Sequence, residues 1–245
     1  MIPNAGRGIA VKKRIWELDA LRGICILGML AVHLIFDLVD IFSIGNGQYP
    51  RVILFLFDWG GLLFVLLSGI CVTLGSRTVR RGIIVLLCGL ICTLVTWCLA
   101  KFNILSEWII IWFGVLHCLG ICMLLWPLFR RLPLPVLTLL SIGFISFGFW
   151  LKGQTANFPW LVGLGLTFPG FSSGDYFPLF PNLGYFLLGA VLGKMLYPTK
   201  TTLFKKVNSQ TPVLRFLQIC GRQSLLIYLL HQPVLYALLF LISLF

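Results

Sequence analysis

The residues of this chain best suited to chemistry are ionisable side chains set inside apolar runs. The stretch 14–40, RIWELDALRGICILGMLAVHLIFDLVD, is apolar enough for a helix in hydrocarbon, yet it carries Arg22, His33, Asp37 and Asp40. At about 100° per residue these four fall within roughly 60° of one another on the helix surface. Charge in hydrocarbon is costly, so such a stripe faces other helices or a water-filled cavity, and its members are candidates for function. His33 lies eleven residues past Arg22, about 16 Å farther along a helix and near the middle of a bilayer. Asp37 follows one turn later, where a carboxylate orients an imidazole and favours its protonated form. Such a pair suits a general base that takes a proton from a hydroxyl or an amine. The plainer alternative is a buried His–Asp pair that satisfies its own polar atoms and holds helices together.

Two further histidines sit at similar depth. His117 lies thirteen residues before Arg130, and His231 follows Ser224 by seven residues, so that Ser224 and His231 share a helix face. Pro233 cannot donate to the carbonyl of Leu229, which predicts a kink beside His231 and a freed acceptor. His231 is a second candidate base, and His117 and Ser224 are candidate substrate contacts, although a lone buried histidine or a kink is also plain packing. The segment FSSGDYFP, 171–178, concentrates hydroxyls, an acid and aromatics, and Asp175 and Tyr176 in it are candidate acceptor-binding residues. Arg77, Arg80 and Arg81 form a phosphate-sized cluster at one end of a helix pair, or a simple topology signal. The eight cysteines contain no CxxC pair and read as small packing residues; no metal site is predicted.

The elements that must hold these residues are membrane helices. Hydrophobic residues make up 59% of the chain and charged ones 11%, with a mean hydropathy of +1.01, which excludes a soluble globular domain. Apolar runs near 21–42, 52–74, 82–100, 108–129, 134–151, 177–197 and 223–245 predict about seven spanning helices, while 158–168 is too short to span. The expected fold is all-α, a polytopic membrane bundle forming one domain over residues 1–245. The first thirteen residues are expected to be a mobile basic tail. With the N-terminus inside, sixteen of the nineteen Lys and Arg residues fall on the cytoplasmic side and only Arg51, Lys101 and Lys152 on the other. The formal charge of +12 is therefore a topology signal and not a nucleic-acid surface, and Phe245 is expected at the outer face. Glu17 and Asp19, the acids of the inner face, are expected to pair with neighbouring arginines.

The stretches RIWELDALRGICILGMLAVHLIFDL, SGICVTLGSRTVRR, SSGDYFPLFPNLGYFLLG and GRQSLLIYLLHQPVL resemble, in order and over nearly the whole chain, the bacterial members of the heparan-alpha-glucosaminide N-acetyltransferase catalytic domain family. The first helix is also similar to acyltransferase family 3, whose Arg, ten residues, His pattern is met by Arg22 and His33 and whose Arg-x-x-Arg is met by Arg77 and Arg80. The resemblance implies transfer of an acyl group, acetyl first of all, from cytoplasmic acyl-CoA to an acceptor at or across the membrane. It implies His33 as the catalytic histidine and Arg77 and Arg80 in the CoA site; Arg22 and Arg81 are expected to bind the same cofactor. One departure stands out. In the lysosomal enzyme of the family the histidine proposed to carry acetyl lies in the loop after the first helix, and residues 43–51 contain none.

The expected function is an acyl-CoA-dependent membrane acyltransferase acting on a hydroxyl or amine of a glycan or other small acceptor, in the bacterial cytoplasmic (inner) membrane. Its expected partners are the lipid bilayer, acyl-CoA and that acceptor, with no nucleic acid; a homo-oligomer is compatible with the chain. A proton-coupled transporter or flippase using the same His and Asp residues is the alternative from another class. A haem carrier ligated by two of the three histidines is a third.

Overall fold

The computed structural model describes residues 14–42, 47–104 and 106–243. The expected tail at 1–13 and the position of Phe245 lie outside the described residues. Eight α-helices follow in order: α1 (Trp16–Phe36), α2 (Arg51–Leu74), α3 (Thr78–Lys101), α4 (Val115–Phe129), α5 (Leu134–Leu151), α6 (Leu179–Leu196), α7 (Pro212–Arg222) and α8 (Ser224–Ser243). Six of them are long and apolar enough to cross a membrane, the first being extended by a π-helical turn at Asp37–Ile41. The fold is thus the expected polytopic helical bundle. Its lipid-compatible surface is carried by exposed side chains such as Ile83, Leu87, Leu90 and Leu94 of α3.

Two elements differ from the sequence reading. The apolar run 108–129 is helical only from Val115, and fifteen residues of helix reach about 22 Å, short of a bilayer core. The reason lies on α3. The Thr96 hydroxyl accepts the N–H of Ile111 and the Thr93 hydroxyl donates to its carbonyl, which holds residues 110–114 off the helix ladder. The second difference is α7, in a stretch read as a basic linker running into the last span. Its eleven residues place Gln218, Cys220 and Gly221 against the bundle and leave Val213, Phe216 and Ile219 exposed. A single residue, Gln223, separates it from α8.

Close backbone approach sets the packing. A Cβ on Gly69 of α2 would overlap the carbonyl of Phe186, and one on Gly189 of α6 the carbonyl of Leu66, so these helices touch along their main chains. Around that seam lies the core of Val65, Leu119, Cys122, Leu137, Phe186 and Leu187. The α1–α7 crossing repeats the device: Gly23 faces the carbonyl of Leu217, and Gly221 that of Asp19. Beside it Arg222 pairs with Asp19 at 3.1 Å, and Arg14 reaches the same carboxylate at 3.8 Å. Glu17 departs from the expected arginine pairing. It accepts the Thr202 hydroxyl at 2.7 Å and the Leu203 N–H at 2.8 Å, tying the 197–211 connection to the start of α1.

Candidate active site

Helices α1 and α8 bring two of the three histidines together. The rings of His33 and His231 stand edge to face with centroids 4.7 Å apart. His231 is buried, and its Nδ1 lies 2.6 Å from the carbonyl oxygen of Tyr228, one turn earlier. A carbonyl can only accept, so Nδ1 carries the proton and Nε2 presents a lone pair. That Nε2 is buried without a hydrogen-bond partner among the described residues.

Asp37 is fully buried at the first residue of the π turn. Its Oδ1 accepts the side-chain amide of Gln232 at 2.7 Å, while Asp37 Oδ2 and Gln232 Oε1 have no partner. Three unpaired acceptors therefore lie on Asp37 and on the consecutive residues His231 and Gln232. Native folds pair nearly all buried polar atoms, so such a concentration makes this cluster the candidate site. The π turn agrees, since such bulges gather at functional sites.

The expected His33–Asp37 hydrogen bond does not form. One α-helical turn would superpose the two side chains, but the helix widens to π geometry at Asp37 and the carboxylate turns to Gln232. His33 instead meets His231 directly, which leaves no room for a haem between the two rings.

His117 stands apart from this pair, at the first turn of α4. Its Nδ1 accepts the N–H of Gly114 at 3.2 Å and its Nε2 lies 3.2 Å from the Thr93 hydroxyl. With Nδ1 accepting, Nε2 carries the proton and donates to that oxygen, so both ring nitrogens are satisfied within the fold. Asp175 is likewise used internally. Its Oδ2 accepts the N–H of Val115 at 2.9 Å and the hydroxyl of Tyr228 at 3.0 Å. Burial pushes the Asp175 carboxyl above its ordinary value, against the lowering effect of those two donors. The Tyr176 hydroxyl donates to the carbonyl of Val162 at 2.9 Å, and burial pushes its phenol up to about 12. Ser224, at the first residue of α8, is seven residues from His231, about 10 Å along the helix. The structure thus joins His33, Asp37 and His231 but not His117, Asp175, Tyr176 or Ser224.

The arginines divide in two. Arg77 and Arg80 line a cavity of about 190 Å³ together with Ser76, Thr78, Trp126, Pro127 and Arg130. Arg81 lies over Gly75, and neither it nor the half-buried Arg22 of α1 is among the residues lining that cavity. Lys194 borders the first group, donating to the carbonyls of Arg130 and Leu132 at 3.1 Å. Gln232, Tyr228 and Arg130 join the site only in the fold. The first two flank His231 in YLLHQP, whereas Arg130 carries no sequence signal beyond its part in the basic asymmetry.

The family model for the catalytic region of heparan-alpha-glucosaminide N-acetyltransferase matches residues 14–233, a span that contains every group of this site. No curated protein and no solved structure matches the chain.

Proposed function

The chain belongs to the heparan-alpha-glucosaminide N-acetyltransferase catalytic family, and from that premise we propose that it transfers an acetyl group from acyl-CoA to a hydroxyl or amine of an acceptor within the bundle. The observation that carries this reading is the buried Nε2 lone pair of His231, fixed in its tautomer by the Tyr228 carbonyl. In the proposed step His231 Nε2 takes the acceptor proton as the acceptor oxygen or nitrogen attacks the thioester carbonyl. The tetrahedral intermediate expels the CoA thiolate, which leaves with a proton, and the acetyl group remains on the acceptor. Asp37 Oδ2 and Gln232 Oε1 supply acceptors that position the incoming hydroxyl or amine, and the edge of His33 fixes the imidazole plane of His231.

The donor belongs at the basic end. Arg77, Arg80 and Arg130, from the start of α3 and the end of α4, suit the phosphates of CoA, because guanidinium groups pair with phosphate oxygens two bonds at a time. In our reading that end faces the cytoplasm of a bacterial cell, as the sixteen-to-three division of basic residues supports.

The test is thioester consumption by the purified protein with candidate amine and sugar acceptors. Wild type turns over, His231→Ala does not, and both still bind acyl-CoA. Full turnover by His231→Ala sinks the assignment of the base, and a wild type that consumes no thioester but moves solute with pH sinks the transferase in favour of a transporter.

A further inference from the structure

Resting on that reading of His231, the geometry points to Tyr228 and Asp175 as positioning residues that hold the catalytic turn of α8 in place. Tyr228 has two ties at once. Its carbonyl accepts a hydrogen bond from His231 Nδ1–H at 2.6 Å, and its hydroxyl donates to Asp175 at 3.0 Å, across 53 residues of chain. Its ring also packs against the imidazole, with centroids 5.5 Å apart. Asp175 is itself immobilised, because the same oxygen accepts the first N–H of α4, that of Val115. The segment around it is pinned as well: Phe177 N–H donates to the carbonyl of Phe113 at 2.8 Å, and Ser173 donates to the carbonyl of Ile110 at 3.0 Å.

The consequence is rotational. α8 makes few contacts beyond α1, α3 and α7, and Pro233, two residues past His231, weakens the ladder of its own helix. Besides the Gln232–Asp37 hydrogen bond and the His33–His231 ring contact, little else fixes the rotation of this turn about its axis. A phenol clamped to a carboxylate that caps another helix does so, and the His231 ring packed against that phenol is held with it. A charge-assisted hydrogen bond is strong enough for that task. The 171–178 segment, read from sequence as an acceptor-binding loop, thereby acts on the reaction through the helix it holds and not through contact with the substrate.

The experiment compares purified full-length wild type, Tyr228→Phe and Asp175→Asn. Carbethoxylation of each histidine by diethyl pyrocarbonate is followed by peptide mass spectrometry, with circular dichroism and thermal unfolding confirming the fold. Tyr228→Phe keeps the ring and the main-chain carbonyl, so its effect reports the hydroxyl alone. The reaction rate at His231 should change several-fold in both variants. An unchanged rate at His231, including no reaction in any of the three proteins, overturns the inference and reduces the pair to structural glue. In parallel, Tyr228→Phe should lower kcat by about tenfold or more with the KM for acyl-CoA unchanged. Full kcat in that variant also overturns it. A wild type without acyl transfer would sink the proposed function, yet the modification rates would still decide whether Tyr228 and Asp175 set His231.

Discussion

The Gln232 side-chain amide donates to Asp37 across 2.7 Å and joins α8 to the π turn of α1. The bond crosses 195 residues of chain and consumes one oxygen of a fully buried carboxylate. Replacing either partner alone leaves the other buried without its hydrogen bond, at a cost of about 1–3 kcal/mol. Replacing both removes the polar groups together. Asp37→Leu and Gln232→Leu should therefore each lower the thermal midpoint, and the double variant should lose less than the two losses added. Strict additivity in that cycle would mean that the two residues do not depend on one another.

What could be read in advance follows the range over which each signal acts. The membrane bundle rests on local hydropathy and the structure has it; helix rise put His33 and His231 at similar depth, and their rings meet. The partner of Asp37 could not be read, because one π turn redirects a side chain that an α-helical wheel places beside His33. The same holds for α4. Its run is apolar from residue 108, but Thr93 and Thr96, fifteen or more positions earlier, capture Ile111 before a helix can begin. Asp175 and Tyr176 looked like loop residues free for a ligand, and each turned out to be engaged by partners distant in sequence. The Arg-x-x-Arg spacing is legible in the sequence, but only the fold brings Arg130 beside Arg77 and Arg80 and turns Arg81 away.

That division of the arginines is testable by acyl-CoA binding. Arg77→Ala, Arg80→Ala and Arg130→Ala should each weaken affinity about tenfold or more, since each removes a charge-assisted contact to phosphate. Arg81→Ala should have a smaller effect, because its guanidinium lies over Gly75 outside the cavity. Isothermal titration with CoA decides it. Equal losses at all four positions would point to a diffuse electrostatic attraction and not to a built pocket.

Orientation is best probed at Ser172, which is exposed, and not at its neighbour Ser173, whose hydroxyl is held by Ile110 and Asp175 carbonyls. A cysteine there should react with a membrane-impermeant maleimide on intact cells. The basic division that motivates this puts residues 153–178 outside. Labelling that appears only after the cells are permeabilised would reverse the orientation and move the proposed donor side with it.

The α1–α7 crossing gives the sharpest structural test. A methyl on Gly221 would overlap the carbonyl of Asp19 and come within 3.0 Å of the Gly23 N. Both are backbone atoms, so no side-chain rotation relieves the clash and α7 must move off α1. The next residue is Arg222, whose 3.1 Å pairing with Asp19 would be stretched by the same movement. One residue farther, Gln223 leads into α8, so the displacement is passed toward the helix that carries His231. Gly221→Ala should therefore lose stability by about 1–3 kcal/mol through overpacking, in spite of alanine's better helix propensity. Gly60→Ala in α2 is the control, because its added methyl meets nothing within 4 Å; propensity alone acts there, and it should be neutral or slightly stabilising. Thermal unfolding of the two variants in one detergent makes the comparison. If Gly221→Ala unfolds with wild type or above it, the tight crossing of α1 and α7 is wrong, and α7 sits farther from the bundle than its glycines imply.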